Sequence, residues 1–98
     1  MNVEIPRKRI EEFCRKWHIS ELALFGSVLR EDFRSDSDVD VLVTFRSPSH
    51  ATFREWLEME DELQRLFSRR VDLVEKSTLT NPFRRHHILT NQMVVYAA

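Results

Sequence analysis

Apolar residues recur at helical spacing early in the chain, where Ile10, Phe13, Cys14 and Trp17 form one stripe behind a proline suited to a first turn. This pattern predicts a helix from near Pro6 to about Trp17. The period then changes, and Ile19 to Phe25 reads as a short strand. Its continuous apolar run, Leu22-Ala23-Leu24-Phe25, is what a strand covered on both faces carries. Gly26-Ser27 breaks that strand, one helical turn is expected over Val28 to Asp32, and Asp36-Ser37 is turn chemistry. Asp38 to Phe45 is the clearest strand in the chain.

Arg46 to His50 reads as a loop, with Pro48 between two serines. From Ala51 to Phe67 the residues Phe53, Trp56, Leu57, Glu60, Leu63, Leu66 and Phe67 trace a helix and are expected on its inner face. Val71 to Glu75 is a third strand. Asn81-Pro82 has the chemistry of an N-cap followed by a first-turn proline, opening a helix through about Leu89, and Met93 to Tyr96 closes the chain as a strand. This order of elements predicts an α/β or α+β fold, a small mixed sheet with packed helices, as a single domain over residues 1–98.

Composition narrows the function classes. The chain has 98 residues, 42% hydrophobic and 32% charged, which suits a globular domain with a modest core. A chain of this size buries only about two thirds of its unfolded surface, so a homodimer or a hetero-oligomer would add to its stability. Fifteen basic against sixteen acidic residues argue against broad electrostatic binding of nucleic acid or a membrane surface. No apolar run approaches the roughly twenty residues of a membrane span, and Met1-Asn2-Val3-Glu4 does not resemble a signal peptide. Cys14, the single cysteine, cannot form an internal disulfide, and the expected location is cytoplasmic.

Gly26 is the only glycine, where average usage is about 7%. Its retention points to a backbone position at which a Cβ would interfere. Along a strand Asp38 and Asp40 point one way and Val39, Val41 and Val43 the other. Read alone, the two acids fit a solvated face, or a turn residue followed by a strand, as well as a pair of oxygen ligands for a hard divalent cation such as magnesium. Asp72, within Val71-Asp72-Leu73-Val74, fits either an acid paired with Arg69 or Arg70, or a third carboxylate brought alongside the first two by strand pairing. Gly26-Ser27, at a strand end, offers a hydroxyl and free amide groups to phosphate oxygens, or is simply a strand stop with a serine cap.

Taken together, Gly26-Ser27, ten residues, Asp38-Val39-Asp40 and the later Val71-Asp72-Leu73-Val74 closely resemble the polymerase-beta-like nucleotidyltransferase superfamily, and within it the minimal nucleotidyltransferases. The resemblance covers essentially the whole chain. It implies Asp38, Asp40 and Asp72 as ligands of two magnesium ions, with Asp72 helping to activate an attacking hydroxyl. It implies Gly26 and Ser27 on the β- and γ-phosphates of ATP, and Arg30 on phosphate or holding the turn. Relatives of this kind are often paired with HEPN-domain ribonuclease toxins, act as antitoxins and adenylylate a tyrosine of the toxin. Two alternatives stand beside this. One is a non-catalytic antitoxin that neutralises its toxin by covering it. The other is transfer to a small molecule such as an aminoglycoside. The chain departs from the family where Ala-Arg-Gly is common, having Leu29-Arg30-Glu31, and an acidic Glu31 near a triphosphate would weaken nucleotide binding.

The remaining features read as structural. His86 and His87 are sequence neighbours and do not share a helix face, so a joint metal site is not expected, nor is one at His18 or His50. Cys14 fits a buried small hydrophobe. Trp17, Trp56, Phe53 and Phe67 fit core positions, and the pairs Arg69-Arg70 and Arg84-Arg85 fit solvated faces. Lys76 follows the third strand closely enough to approach a phosphate.

Overall fold

The computed structural model describes residues 4–30, 37–47 and 51–98. In chain order these form α1 (Arg7–Lys16), β1 (Ile19–Phe25), a 3₁₀ turn (Gly26–Leu29), β2 (Val39–Phe45), α2 (Phe53–Phe67), β3 (Val71–Glu75), a second 3₁₀ turn (Lys76–Thr78), α3 (Pro82–Thr90) and β4 (Met93–Ala97). Two of the helices start on side-chain caps. Thr52 accepts the Glu55 amide while Glu55 accepts the Thr52 amide, a reciprocal pair that fixes the start of α2. Asn81 accepts from the amides of Phe83 and Arg84 at 3.0 and 3.1 Å, with Pro82 in the first turn of α3. Each cap is worth about 1 kcal/mol, and the second sets the helical phase on which the site depends.

The four strands pair in the order β3-β2-β1-β4. β1 runs antiparallel to β2 and β4, and β2 runs parallel to β3, so the sheet is mixed as expected. Side-chain alternation then separates two faces. Val39, Val41 and Val43 of β2, Leu22 and Leu24 of β1, and Val71 and Leu73 of β3 meet α1 and α2 through Ile10, Phe13, Cys14, Met59, Leu63 and Phe67. Ala23, Phe25 and Leu42 meet Leu79 and Ile88 on the opposite side, beneath α3. Ile19 joins the first cluster despite its odd number, because the β1–β2 register shifts between Ile19 and Glu21. β1 is therefore covered on both faces, which accounts for its unbroken apolar run.

Three expectations need correction. β2 begins at Val39, whose amide donates to the Arg70 carbonyl at 2.9 Å, so Asp38 stands just outside the strand. The turn after β1 starts at Gly26 itself and ends at Leu29; Glu31 to Asp36, like Pro48 and His50, lie outside the described residues. Phe53 and Leu57 are not on the inner face of α2 but are 78% and 47% exposed, while Met59 is fully buried. The buried stripe runs through Met59, Leu63 and Phe67 with Trp56 and Leu66 packed at its margin, and Phe53 and Leu57 lie beyond that margin. Among the described residues no helix is long and apolar enough to cross a membrane.

Candidate active site

The site is built where β1 ends and β2 begins. Antiparallel pairing sets Phe25 opposite Asp40, and parallel pairing sets Asp40 opposite Asp72. Adjacent strands are about 4.8 Å apart, so the second pairing holds two acids side by side on one face of the sheet. That face is the one α3 covers, since Leu42 and Val74, two residues further along each strand, pack in the α3 cluster. Asp38 is exposed at the mouth of β2, and its charge acts on Asp40.

Gly26 follows directly on Phe25, with φ +74°, in the left-handed region. A Cβ on Gly26 would collide with Asp40 Oδ2 and sit 3.2 Å from Asp40 Cγ. The missing side chain is therefore what lets the turn close on the carboxylate. The Ser27 amide donates to the Asp40 carboxylate, and the Ser27 hydroxyl donates to the Asp38 carbonyl at 3.4 Å. Arg30 ends the turn, donating its amide to the Ser27 carbonyl at 3.0 Å. Ser27 thus ties the turn to both acids of the Asp-x-Asp pair.

Partial burial, followed by the charges of Asp72 and Asp38, pushes the Asp40 carboxyl above its ordinary range. The Ser27 amide and the Arg84 guanidinium pull the other way without overcoming it. Three acids crowded in this way favour a cation. Their hard oxygen donors match magnesium, which suits one or two carboxylates together with substrate phosphates. Among the described residues no three His, Cys, Asp or Glu side chains are placed to hold a metal ion as they stand. Asp38 and Asp72 are exposed, however, where a side chain is free to change rotamer.

Two clefts flank the acids. One, of about 800 Å³, runs past Gly26, Leu29 and Arg30 to His87, Ile88 and Gln92. The other, of about 460 Å³, runs past Asp72, Glu75, Thr78 and Trp56. Arg84 lines both. Arg84 is exposed, as a solvated face requires, and its place between the clefts is what the sequence analysis does not anticipate. The available signal was its spacing: Arg84 precedes the buried Ile88 by four residues and so shares the sheet-facing side of α3. Arg85 is half-buried and donates from Nη1 to the Lys76 carbonyl at 3.1 Å, holding the second 3₁₀ turn. Lys76 thus contributes its backbone to that turn. His18 and His86 are exposed on the surface, and Trp17 and Trp56 are partly buried at the edges of the core.

With this geometry in hand, comparisons with known proteins are informative. Residues 6–93 match the sequence pattern of the family described as "Nucleotidyltransferase domain". A protein of Thermococcus cleftensis named protein adenylyltransferase MntA is 41% identical over 70 residues, covering 70% of this chain and 68% of that one. A Methanocaldococcus jannaschii protein, named provisionally as a protein adenylyltransferase, is 34% identical over 80 residues, covering 82% and 80%. Among solved structures, a toxin-antitoxin crystal structure with AMP-PNP superposes with a TM-score of 0.75 at 18% identity, over 96% of this chain and 75% of that one. A tri-AMPylated Shewanella oneidensis HEPN toxin in complex with an MNT antitoxin matches with a TM-score of 0.66 at 17% identity, over 94% and 70%. At these identities the two structures speak to the fold, which is the polymerase-beta-like one.

Proposed function

The chain belongs to the nucleotidyltransferase domain family, and from that premise we propose that it transfers AMP from ATP to a hydroxyl on a partner protein. The proposed partner is a HEPN-domain ribonuclease toxin and the proposed acceptor a tyrosine, which makes the chain the toxin's antitoxin. The observation that carries this reading is the pairing of Asp40 with Asp72 beside the Gly26–Ser27 turn.

In this reading Asp38, Asp40 and Asp72 hold magnesium, which when bound offsets negative charge on the attacking and leaving oxygens. Gly26 lets the backbone approach the triphosphate, and the turn's amides and the Ser27 hydroxyl hold its β- and γ-phosphates. Arg30, on the wall of the larger cleft, adds positive charge at the same end. Asp72 lies on the other side and takes up the proton of the incoming hydroxyl. The hydroxyl oxygen bonds to the α-phosphorus as the bond from that phosphorus to its bridging oxygen breaks, and the electron pair leaves with pyrophosphate. Such chemistry relies chiefly on positioning and electrostatics, which a small scaffold can supply.

The AMP-PNP, AMPylated-toxin and adenylyltransferase descriptions of the similar proteins support ATP as donor and a HEPN protein as acceptor. The test uses ATP labelled in turn at the α- and the γ-phosphate, with magnesium and the protein encoded next to this chain. The expected result is α-label on the partner, no γ-label, and no label with Asp40→Asn. A tight, protective complex that acquires no label would establish the non-catalytic antitoxin instead.

A further inference from the structure

Arg84 occupies the junction between the two clefts. It stands one helical turn before Ile88, which packs against the sheet in the cluster that includes Phe25 and Leu42. Asp40 lies two residues before Leu42 on the same face of β2. The Asn81 cap and Pro82 fix the start of α3, so the direction in which Arg84 projects is set by the fold. Its charge is felt at Asp40. Its neighbour Arg85 is committed to the Lys76 carbonyl, so the two adjacent arginines have separate tasks.

We infer that Arg84 contacts the α-phosphate in transfer, between pyrophosphate departing on the Gly26–Ser27 side and the hydroxyl arriving on the Asp72 side. This rests on the adenylyl-transfer reading and extends it to a residue outside the Gly-Ser and Asp-x-Asp motifs. A guanidinium is planar, permanently charged and matched to two phosphate oxygens at once. At the junction it meets the equatorial oxygens on which charge is spread as the new bond forms and the old one breaks. It neither gains nor loses a proton in the step. Without nucleotide its charge acts on Asp40; with nucleotide it has a phosphate to bind.

The experiment compares wild type, Arg84→Ala, Arg84→Lys and Arg85→Ala in the full chain with its partner. MgATP affinity is measured by titration, the single-turnover rate of label transfer at saturating MgATP, and folding by thermal melting. Removing one preorganised donor of this kind lowers such rates by about 10²–10³-fold. Arg84→Ala is expected to lose about that much in rate, to bind MgATP within about tenfold of wild type, and to melt normally. Arg84→Lys is expected to recover part of the rate, and Arg85→Ala to show its effect mainly in the melt. An unchanged single-turnover rate in Arg84→Ala, or a defect confined to MgATP affinity, overturns the assignment. Wild type that binds MgATP but transfers nothing overturns the adenylyl-transfer reading itself.

Discussion

The carboxylate of Asp40 stands where a side chain on Gly26 would go. The two residues form a matched pair, one supplying the charge and the other the space for it, and the left-handed φ of Gly26 adds a second reason for glycine. Gly26→Ala is expected to destabilise the protein by about 1–2 kcal/mol from backbone conformation alone. It should also turn the Asp40 carboxylate away from the Ser27 amide and weaken MgATP binding at least tenfold. Combining it with Asp40→Ala should recover the part of the stability lost to the collision, leaving the backbone part, without recovering binding. Melting curves and nucleotide titration of the three variants check this, and a double variant no more stable than Gly26→Ala would contradict the pairing.

Asp40 is held at a cost to stability. Its carboxyl is raised above the usual range, so the folded state binds that proton more tightly than the unfolded chain. The folded state is therefore favoured at acid pH, and the advantage is lost as pH rises from the unfolded pKa through the folded one. At neutral pH the charged group works against folding. Asp40→Asn removes the charge and keeps an oxygen to accept the Ser27 amide. It is expected to melt a few degrees above wild type at pH 7, with the gap narrowing towards pH 4, while label transfer disappears. A lower melting temperature at pH 7 would contradict this.

Burial pushes the Cys14 thiol up to about 12, in the core contact between α1 and the sheet. It stays protonated and unreactive across the neutral range. In the unfolded chain it ionises near 9, so its contribution to stability falls as pH rises from about 9 towards 12. The native protein is expected to resist iodoacetamide at pH 8 and to be alkylated fully in denaturant. Rapid native labelling would show that α1 detaches from the sheet.

Phe53 and Met59 lie on the same helix and should respond in opposite ways. Met59 is fully buried, and Met59→Ala is expected to cost about 2–5 kcal/mol. Phe53 is 78% exposed, and Phe53→Ala should stay within about 0.5 kcal/mol of wild type. Urea unfolding of both variants separates the observed helix phase from the one that would place Phe53 in the core.

Local signals in the sequence explain much of what was legible. β1 and β3 were bounded correctly because turn or charged residues flank short apolar runs, and α3 because Asn81-Pro82 is a strong start signal. The pairing of Asp40 with Asp72 was anticipated through the family resemblance. What escaped was the outcome of long-range geometry. The phase of α2 was blurred because Phe53 and Leu57 are as apolar as the residues that face the core, and only contact with the sheet distinguishes them. The spacing from Arg84 to Ile88 places both on one side of α3, but that this side borders the site follows from the strand order and the seat of α3, which local sequence does not encode.

The joint use of β2, β3 and the glycine turn is tested most directly by amide NMR with manganese as a paramagnetic probe and a non-hydrolysable ATP analogue. The account predicts that broadening centres on Gly26, Ser27, Asp38 to Val41 and Asp72, and that Asp38→Asn with Asp40→Asn abolishes it. Broadening centred instead on Glu58 and Asp61, exposed acids of α2, or the same pattern in the doubly substituted protein, would contradict it.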